Sequence, residues 1–463
     1  ARGEVEHIQL VFPSKVNEEY RFTFDRYLKG IQISARELKK MNGYYDALVP
    51  FKNQLKCTDT LTAVWITVQC PSRVPVGKYH QTIKIEGSKH FTIQLDYNVH
   101  HTTIPLKSSI PITVGVENRC MTECLNDKEA DKERQRWVDF VLSYRMTPVF
   151  GTQITPERWQ YEHSFSPWAW NDKRSIRLLN DRRYSCYMLP FFTLSENELA
   201  SLLCNIQKKG KLKESLFYIW DEPAYMEDYE QIKRKVNIIR KYASDARILT
   251  TFFCGPRNGP RKGDLYAVFD YLKHHIHVAT ISLAPCKGNE EEVQHIRYKV
   301  PEGIDWWSYV CWQPGGNEPN FLLQMKGIQQ RAIMWRTWKN GSQGFLYWNC
   351  NIYHKRNPFT YITDMPHGDG ILIYPGDILG CKGPIASARL ERWRDGAEEM
   401  ELLRLVEKNY SKEKADTLLN IVYSSPLSFI EKAHNIPFFR KELLDQLDKT
   451  IPIDYKLRIT DFI

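Results

Sequence analysis

A change of rhythm near residue 107 limits how this chain can fold more than any other feature of its sequence. Before it, the runs "HIQLVF", "YRFTF", "LTAVWITVQC", "YHQTIKI" and "HFTIQLDYNV" are rich in β-branched and aromatic residues and partly alternate with a period of two. Turn signals such as "PVG" and "EGS" separate them. Short strands at this spacing predict a β-sandwich over residues 1–106, and "HTTIPLKSSIP" (101–111) reads as the linker out of it.

Beyond the linker, strand-like and helix-like segments take turns. "IPITVGV" reads as a strand, "KEADKERQRWVDFVLSYRM" as a helix with a charged first turn, and "TPVFG" as the next strand. "LFYIWDEP" precedes a helix running to about residue 243, and "ARILTTFFCG", "HIHVATISLA", "IDWWSYVCW" and "GFLYWNCN" are further apolar strands. The longest helix between them is expected over Phe321–Lys339. This alternation predicts a (β/α)8 barrel over residues 107–380. A doubly wound sheet shares the rhythm, but no glycine-rich phosphate turn follows the first strand.

Residues 381–463 read as helices packed on the barrel. Leu390, Trp393, Ala397, Met400 and Leu403 form one apolar stripe, and Gly396 within it, costing about 1 kcal/mol against alanine, marks close packing. The expected fold is therefore multidomain: an N-terminal β-sandwich, a TIM-like barrel, and C-terminal helices packed on it. A chain of 463 residues with 42% hydrophobic and 13% aromatic content can fill such cores, which excludes disordered and collagen-like classes.

Several functions are disfavoured by what the chain lacks. The net charge of +9 comes with local clusters such as "KKGKLKE" (208–214), yet no nucleic-acid motif accompanies them, so solvated helix faces are the expectation. No run of about 20 apolar residues predicts a membrane span. The 11 cysteines are scattered without paired CxxC spacing, and "HHIHV" and "VHH" lack a metal-binding helical spacing, so neither metal nor cofactor is expected.

The chemistry points to "LFYIWDEPAYMED" (216–228), where an apolar strand runs into Asp221, Glu222 and Pro223. Pro223 disfavours the helical conformation at Glu222, so the chain is expected to stay extended through both acids. That places them at the carboxyl end of a strand, the face that carries chemistry in a barrel. A pair of acids before a helix also suits its positive end, which is a purely structural use. Trp220 and Tyr225 flank the pair with aromatic surface suited to a sugar ring. Most glycosidases place acid and nucleophile on different strands, roughly 5 Å apart when retaining. Adjacent acids fit the substrate-assisted variant better, in which the sugar's 2-acetamido oxygen is the nucleophile.

The "WDEP" strand end, the later "GFLYWN", "GDGILIYPG" (368–376) and "SARLERWRDGAEEMELL", in that order, resemble glycoside hydrolase family 123. The N-terminal "GEVEHIQLVF" and "VPVGKYHQTIKI" are similar to the β-sandwich preceding the barrel there. The resemblance covers nearly the whole chain, with Glu399 standing where the family usually has an aspartate after "RDG". It implies a retaining β-N-acetylgalactosaminidase acting on an oligosaccharide or glycoconjugate through an oxazolinium-type intermediate, in a periplasmic or secreted setting. Asp221 would orient the acetamido group and Glu222 would be the general acid/base.

Further pocket candidates follow from strand ends. Trp348, ending "GFLYW", is expected as the floor under the sugar ring, with Asn349 and Asn351 at the loop edge as hydroxyl partners. In "IDWWSYVCW", Trp307 and Tyr309 share one face opposite Trp306; Tyr309 is the candidate donor to the acetamido oxygen and Trp312 a sugar contact at the strand's opening. Asp364 and Asp369 are reserve acids. Two other readings stay open: an ordinary two-carboxylate retaining glycosidase with Asp364 as nucleophile, and a carbohydrate-binding protein without activity.

Overall fold

The structure is a computed structural model, described here for residues 1–24, 30–155, 160–353, 355–358 and 366–449. The N-terminal strands are β1 (Val5–Pro13), β2 (Glu19–Phe24), β3 (Gln32–Met41), β4 (Tyr44–Pro50), β5 (Gln54–Lys56), β6 (Leu61–Gln69), β7 (Gly77–Glu86) and β8 (His90–Val99). They form two antiparallel sheets, in the orders β1-β6-β3-β4 and β5-β2-β7-β8. Phe12, Phe22, Val64, Ile66, Ile83 and Ile85 fill the space between them, the arrangement of a sandwich. The sequence reading missed β3, β4 and β5. Asn42 and Gly43, both at positive φ (49° and 86°), join β3 to β4 in the two-residue loop that an Asn-Gly pair favours.

A third, larger sheet follows, built from β9 (Ile112–Glu117), β10 (Thr147–Thr155), β11 (Gln160–Ser164), β12 (Tyr187–Met188), β13 (Ser215–Trp220), β14 (Arg247–Phe252), β15 (Val278–Ser282), β16 (Asp305–Val310) and β17 (Phe345–Tyr347). Its spatial order is β11-β10-β9-β17-β16-β15-β14-β13-β12. All neighbours pair parallel except β11, which is antiparallel on β10. The Phe165 N–H donates to the Met188 carbonyl at 2.6 Å, so the chain just past β11 meets the opposite edge and the sheet curls into a nearly closed barrel. Strands β11 and β12 also escaped the sequence reading; two residues of β12 are too few to show any period.

Helices intervene between the parallel strands: α1 (Asn118–Thr122) and α2 (Asp127–Ser143), α3 (Lys173–Leu178), α4 (Glu196–Lys208), α5 (Met226–Arg240), α6 (Ala267–Leu272), α7 (Glu290–Lys299) and α8 (Gly327–Lys339). The starts of α2, α3, α4 and α7 are capped by short polar side chains, such as Asn126 accepting the Glu129 N–H at 3.0 Å and the reciprocal Ser195–Glu198 box of α4. The expected helix over Phe321–Lys339 begins only at Gly327. Asn320 holds the preceding segment in a loop by donating to the carbonyls of Cys311 and Pro314, and Gln329 accepts the Lys326 N–H where the helix starts. Among the described residues no helix is long and apolar enough to cross a membrane.

After the last barrel strand come α9 (Ala388–Asn409), α10 (Lys412–Leu419) and α11 (Ile436–Asp448). The stripe from Leu390 to Leu403 is buried as the periodicity predicts, but so are Arg389, Glu391, Arg394, Asp395, Glu398, Glu399 and Glu401. One side of α9 lies on α8 and the other faces the sandwich, and charged pairs fill the seam. Arg389 donates to Asp46 of β4 at 2.9 Å, Arg36 of β3 reaches Glu391 at 2.6 Å, and Arg331 of α8 reaches Glu399 at 3.0 Å.

Gly396 sits where α9 crosses α8, and an added Cβ would stand 2.2 Å from the Arg331 carbonyl oxygen. An exposed helix gains about 1 kcal/mol from Gly→Ala, whereas overpacking a rigid contact costs about 1–3 kcal/mol. Backbone cannot swing aside, so the clash wins here. Gly396→Ala is expected to lower the urea midpoint of unfolding, corresponding to a net loss of up to about 2 kcal/mol. A midpoint that rises would mean that the two helices are free to separate.

Candidate active site

Interior side chains fix which strand ends carry chemistry. Leu216, Tyr218, Leu249, Val278, Trp307, Tyr309 and Leu346 point into the barrel and pack together, while Trp306 packs outside. Regular alternation from Tyr218 would send Asp221 outward. A register shift between Tyr218 and Trp220 adds one residue to β13 relative to β14, and this bulge restores Asp221 to the interior face. Glu222 then adopts a positive φ of 44°. The extended backbone expected through both acids is thus corrected: proline disfavours the right-handed helical region, and the chain answers by turning left-handed. Bulge and turn together bring two consecutive carboxylates into one cavity.

Neighbouring strands hold this geometry. The Thr251 hydroxyl donates to Asp221 Oδ1 at 2.7 Å and accepts the Glu222 N–H at 2.9 Å, bracing the left-handed residue. The Tyr218 hydroxyl also donates to Asp221 Oδ1 at 2.7 Å. Two donors on one oxygen leave Oδ2 without a protein donor among the described residues. His163 stacks on Tyr218 with centroids 4.3 Å apart and, its pKa lowered to about 3 by burial, stays neutral there.

Glu222 receives a hydrogen bond from the Tyr309 hydroxyl. Desolvation by the cavity walls and the adjacent Asp221 charge push its carboxyl up to about 7, against the opposing pull of the Tyr309 bond and the Arg257 charge. A group poised there can give and take a proton near neutrality. The hydroxyl that the sequence reading assigns to an acetamido oxygen thus lies within the cavity and, in this structure, donates to the second acid. Tyr309 remains a neutral phenol, its own pKa raised by burial and by Glu222.

The cavity above the acids has a volume of about 840 Å³. Trp348 and Trp312 both line it, Trp348 half-buried and Trp312 46% exposed. The strand expected to end on Trp348 ends on Tyr347. Gly115 of β9 lets the chain pass at that point, since an added Cβ would lie 1.8 Å from the Trp348 carbonyl oxygen. Trp348 Nε1 and the Tyr347 hydroxyl both donate to Asp369 Oδ1, at 3.0 and 3.1 Å. Asp369 is fully buried, so the expected reserve acid serves as an anchor behind the indole.

Three other expectations are corrected. Trp307 shares the Tyr309 face but lies one layer deeper, 1% exposed, against Gly344. Asn351 is fully buried; its Oδ1 accepts the Glu117 N–H at 2.8 Å and its Nδ2 donates to the Glu117 carbonyl at 3.1 Å, tying the β17 loop to β9. Asn349 accepts the Asn351 N–H at 2.9 Å and borders only a side crevice of about 60 Å³ beneath Asp221. Both asparagines are consumed by backbone groups that would otherwise be unpaired. Asp364 lies outside the described residues.

Residues the sequence reading missed complete the site: Tyr218, Thr251, Tyr161 and Arg257 all line the main cavity. Tyr218 was findable, three residues before Asp221 on the same strand. Nothing in "ILTTFF" distinguishes Thr251 from Thr250, and Arg257 arrives on a loop whose N–H at 257 donates to the Ala224 carbonyl at 2.7 Å. Among the described residues no group of three or more His, Cys, Asp or Glu could hold a metal ion.

Thr251→Val keeps the shape but removes the donor to Asp221 and strands the Glu222 N–H, a loss of about 1–3 kcal/mol. If the bond holds the acid in its working position, kcat/KM on a cleavable glycoside is expected to fall about tenfold or more, with far-UV circular dichroism unchanged. Wild-type activity in that variant would mean the acids hold themselves.

The whole chain superposes on a family 123 glycoside hydrolase from Clostridium perfringens, studied for glycolipid glycan hydrolysis, with a TM-score of 0.65 over 100% of this chain and 94% of that one. At 14% identity this likeness speaks for a shared fold. A GH2 β-galacturonidase from Eisenbergiella tayi gives only 0.35, at 8% identity over 86% of this chain and 90% of its own. No curated protein sequence matches the chain. The model of the glycoside hydrolase 123 catalytic domain, however, matches residues 132–406, a span that runs from α2 through the two acids and Trp348 to α9. With that match over more than half its length, the chain belongs to glycoside hydrolase family 123 and is a glycoside hydrolase.

Proposed function

We propose that this enzyme is a retaining exo-glycosidase that removes terminal β-linked N-acetylhexosamine, foremost N-acetylgalactosamine, through the substrate's own 2-acetamido group. The observation that carries the reading is the different treatment of the two acids. Asp221 takes two hydroxyl donors on one oxygen, whereas Glu222 is pushed toward neutrality. Their environments split one pair into a fixed anion and a proton carrier.

In this reading the sugar stacks on Trp348 and the acetamido N–H meets Asp221 Oδ2. The acetamido carbonyl oxygen attacks the anomeric carbon while Glu222 gives its proton to the departing oxygen. The Asp221 charge stabilises the positive ring that results. Glu222, now a carboxylate, takes a proton from the water that opens that ring, and two inversions give net retention. The side crevice, walled by Val116, Val149, Gly151 and Leu346, is suited to the acetamido methyl. The nearly closed sheet with its intervening helices is best read as a (β/α)8 barrel. The C. perfringens protein's link to glycolipid glycans makes a glycolipid or related glycoconjugate a reasonable natural substrate, and the periplasmic or secreted setting is carried over from the family resemblance.

Glu222→Gln is expected to slow cleavage of an unactivated disaccharide about 10²- to 10⁴-fold while sparing much of the rate on an aryl glycoside with a good leaving group. Asp221→Asn should slow both by about 10²-fold or more, since it acts on the nucleophile. Equal loss on both substrates in Glu222→Gln would remove it as the acid. Proton NMR of the first-formed sugar should show the β-anomer; an α-anomer would refute retention.

The pH profile offers an independent check. Because the acid form of Glu222 is lost as pH rises through about 7, kcat/KM on the disaccharide should decline on that side. Tyr309 stabilises the carboxylate, so Tyr309→Phe should let Glu222 keep its proton longer and move the alkaline limb to higher pH. A limb moving to lower pH would contradict this assignment.

A further inference from the structure

One buried carboxylate of the sandwich reaches toward the Trp348 side of the cavity. In the ladder of β3 and β4, Lys39 pairs with Ala47 and Lys40 with Tyr45, so Asp46 has no residue opposite it. This bulge on β4 sets Asp46 into the junction with the barrel, where it is 2% exposed. Beside it, Ala47 bridges to Ser387, the residue that caps α9. A charge buried in this way must find its partners within the protein. Asp46 Oδ2 accepts three hydrogen bonds, from Arg389 Nε at 3.0 Å, Arg389 Nη2 at 2.9 Å and the Tyr374 hydroxyl at 2.5 Å.

Held on that edge by Asp46, the guanidinium turns its remaining donors toward the barrel. Nη1 donates to the carbonyls of Phe321 and Gly368, at 2.5 and 2.7 Å, and Nη2 to that of Ile371. Gly368 and Ile371 bracket a tight turn, closed by the Ile371 N–H on the Gly368 carbonyl at 3.2 Å. Within the turn lie Gly370 and Asp369, whose carboxylate anchors the Trp348 indole. Glycine makes the contact close on both sides. At Gly368 (φ 85°) an added Cβ would stand 2.7 Å from Arg389 Nη1, and at Gly370 (φ 68°) it would stand 2.6 Å from Trp348 Cζ2. The turn is a thin plate between guanidinium and indole, so a displacement on one side is passed to the other.

We infer that Asp46 is a positioning residue for the sugar site: through Arg389 and the 368–371 turn, the sandwich sets the place and tilt of the Trp348 indole. Its effect on binding rests on the reading of Trp348 as the floor under the sugar, whereas the coupling itself needs no substrate. A neutral side chain at position 46 leaves the buried Arg389 without its counter-charge. The guanidinium is then drawn toward its other acceptors, the carbonyls of the turn. The sandwich therefore does more than support the barrel from outside.

Two measurements on the full chain test this. In fluorine NMR with 5-fluorotryptophan, the Trp348 line is assigned by its loss in Trp348→Phe. Asp46→Asn should move or broaden that line and leave the line of Trp168, whose indole donates to Asp131 at 2.8 Å, where it was. Tyr374→Phe, which removes one donor from Asp46 and keeps the ion pair, should move the Trp348 line in the same direction by less, and it serves alone if Asp46→Asn does not fold. A Trp348 line unchanged in every variant that folds, or a Trp168 line that moves equally, would overturn the inference. The second measurement is calorimetric binding of N-acetylgalactosamine thiazoline, a stable mimic of the cyclised sugar. Asp46→Asn should weaken it about fivefold or more in the wild-type background, but by less than about twofold once Trp348 is alanine, because the two residues act in series. Equal weakening in both backgrounds would overturn the inference. Wild type that fails to bind the thiazoline, while its Trp348 line still answers to Asp46→Asn, would sink the substrate-assisted reading and leave the positioning role standing.

Discussion

Helix α9 carries more charge than a buried helix can hold unpaired, and the architecture depends on how that charge is matched. A buried ion stripped of its partner is costly, by about 3–5 kcal/mol, so each charged residue on α9 fixes where another element must lie. Arg389 accounts for Asp46 of the sandwich and also donates to the Gly368 carbonyl beside the Trp348 anchor. Glu391 takes Arg36 and the Tyr144 hydroxyl, bridging β3 to the end of α2. Glu399 receives Arg331 and Trp335 from α8. Such pairs add little to stability by themselves, but they penalise every other docking of sandwich on barrel. Glu399 thereby keeps its carboxylate paired within this seam.

The same pairing explains where the sequence misled. The apolar stripe of α9 is visible at a helical period, yet nothing local shows that the intervening arginines and glutamates are buried, because their partners on other elements lie far off in the chain, 64 residues away for Asp395 with Arg331 and 343 for Arg389 with Asp46. Strand β3 was hidden for the same reason, since Arg36, Glu37, Lys39 and Lys40 look like surface helix or loop. Its Asn42-Gly43 turn was nevertheless a local signal strong enough to have exposed the hairpin. The barrel strands that were recognised are those buried on both faces, whose continuous apolar runs need no partner to be seen. Strand β12 has two residues and offers no pattern.

At the site, position was legible and conformation was not. "DEP" after an apolar run correctly indicates two acids at a strand end. How they share a cavity depends on a bulge in β13 and a left-handed Glu222, and both are set by pairing with Thr251 on the next strand. Roles inferred from residue type alone fared worst. Asn351 and Asp369 are chemically apt to touch a sugar, yet each is spent on closing the loop that follows β17. Burial decided these assignments, because a buried polar group must find its partner within the protein.

Two adjacent carboxylates with different environments are the core of the proposed function, in which the substrate supplies its own nucleophile. Matched aryl β-glycosides of galactose configuration, differing only in a 2-acetamido or a 2-hydroxyl group, test this most directly. The account predicts turnover of the acetamido substrate and none above background for its 2-hydroxyl twin. Comparable kcat/KM on the two would contradict it and return the site to a two-carboxylate mechanism.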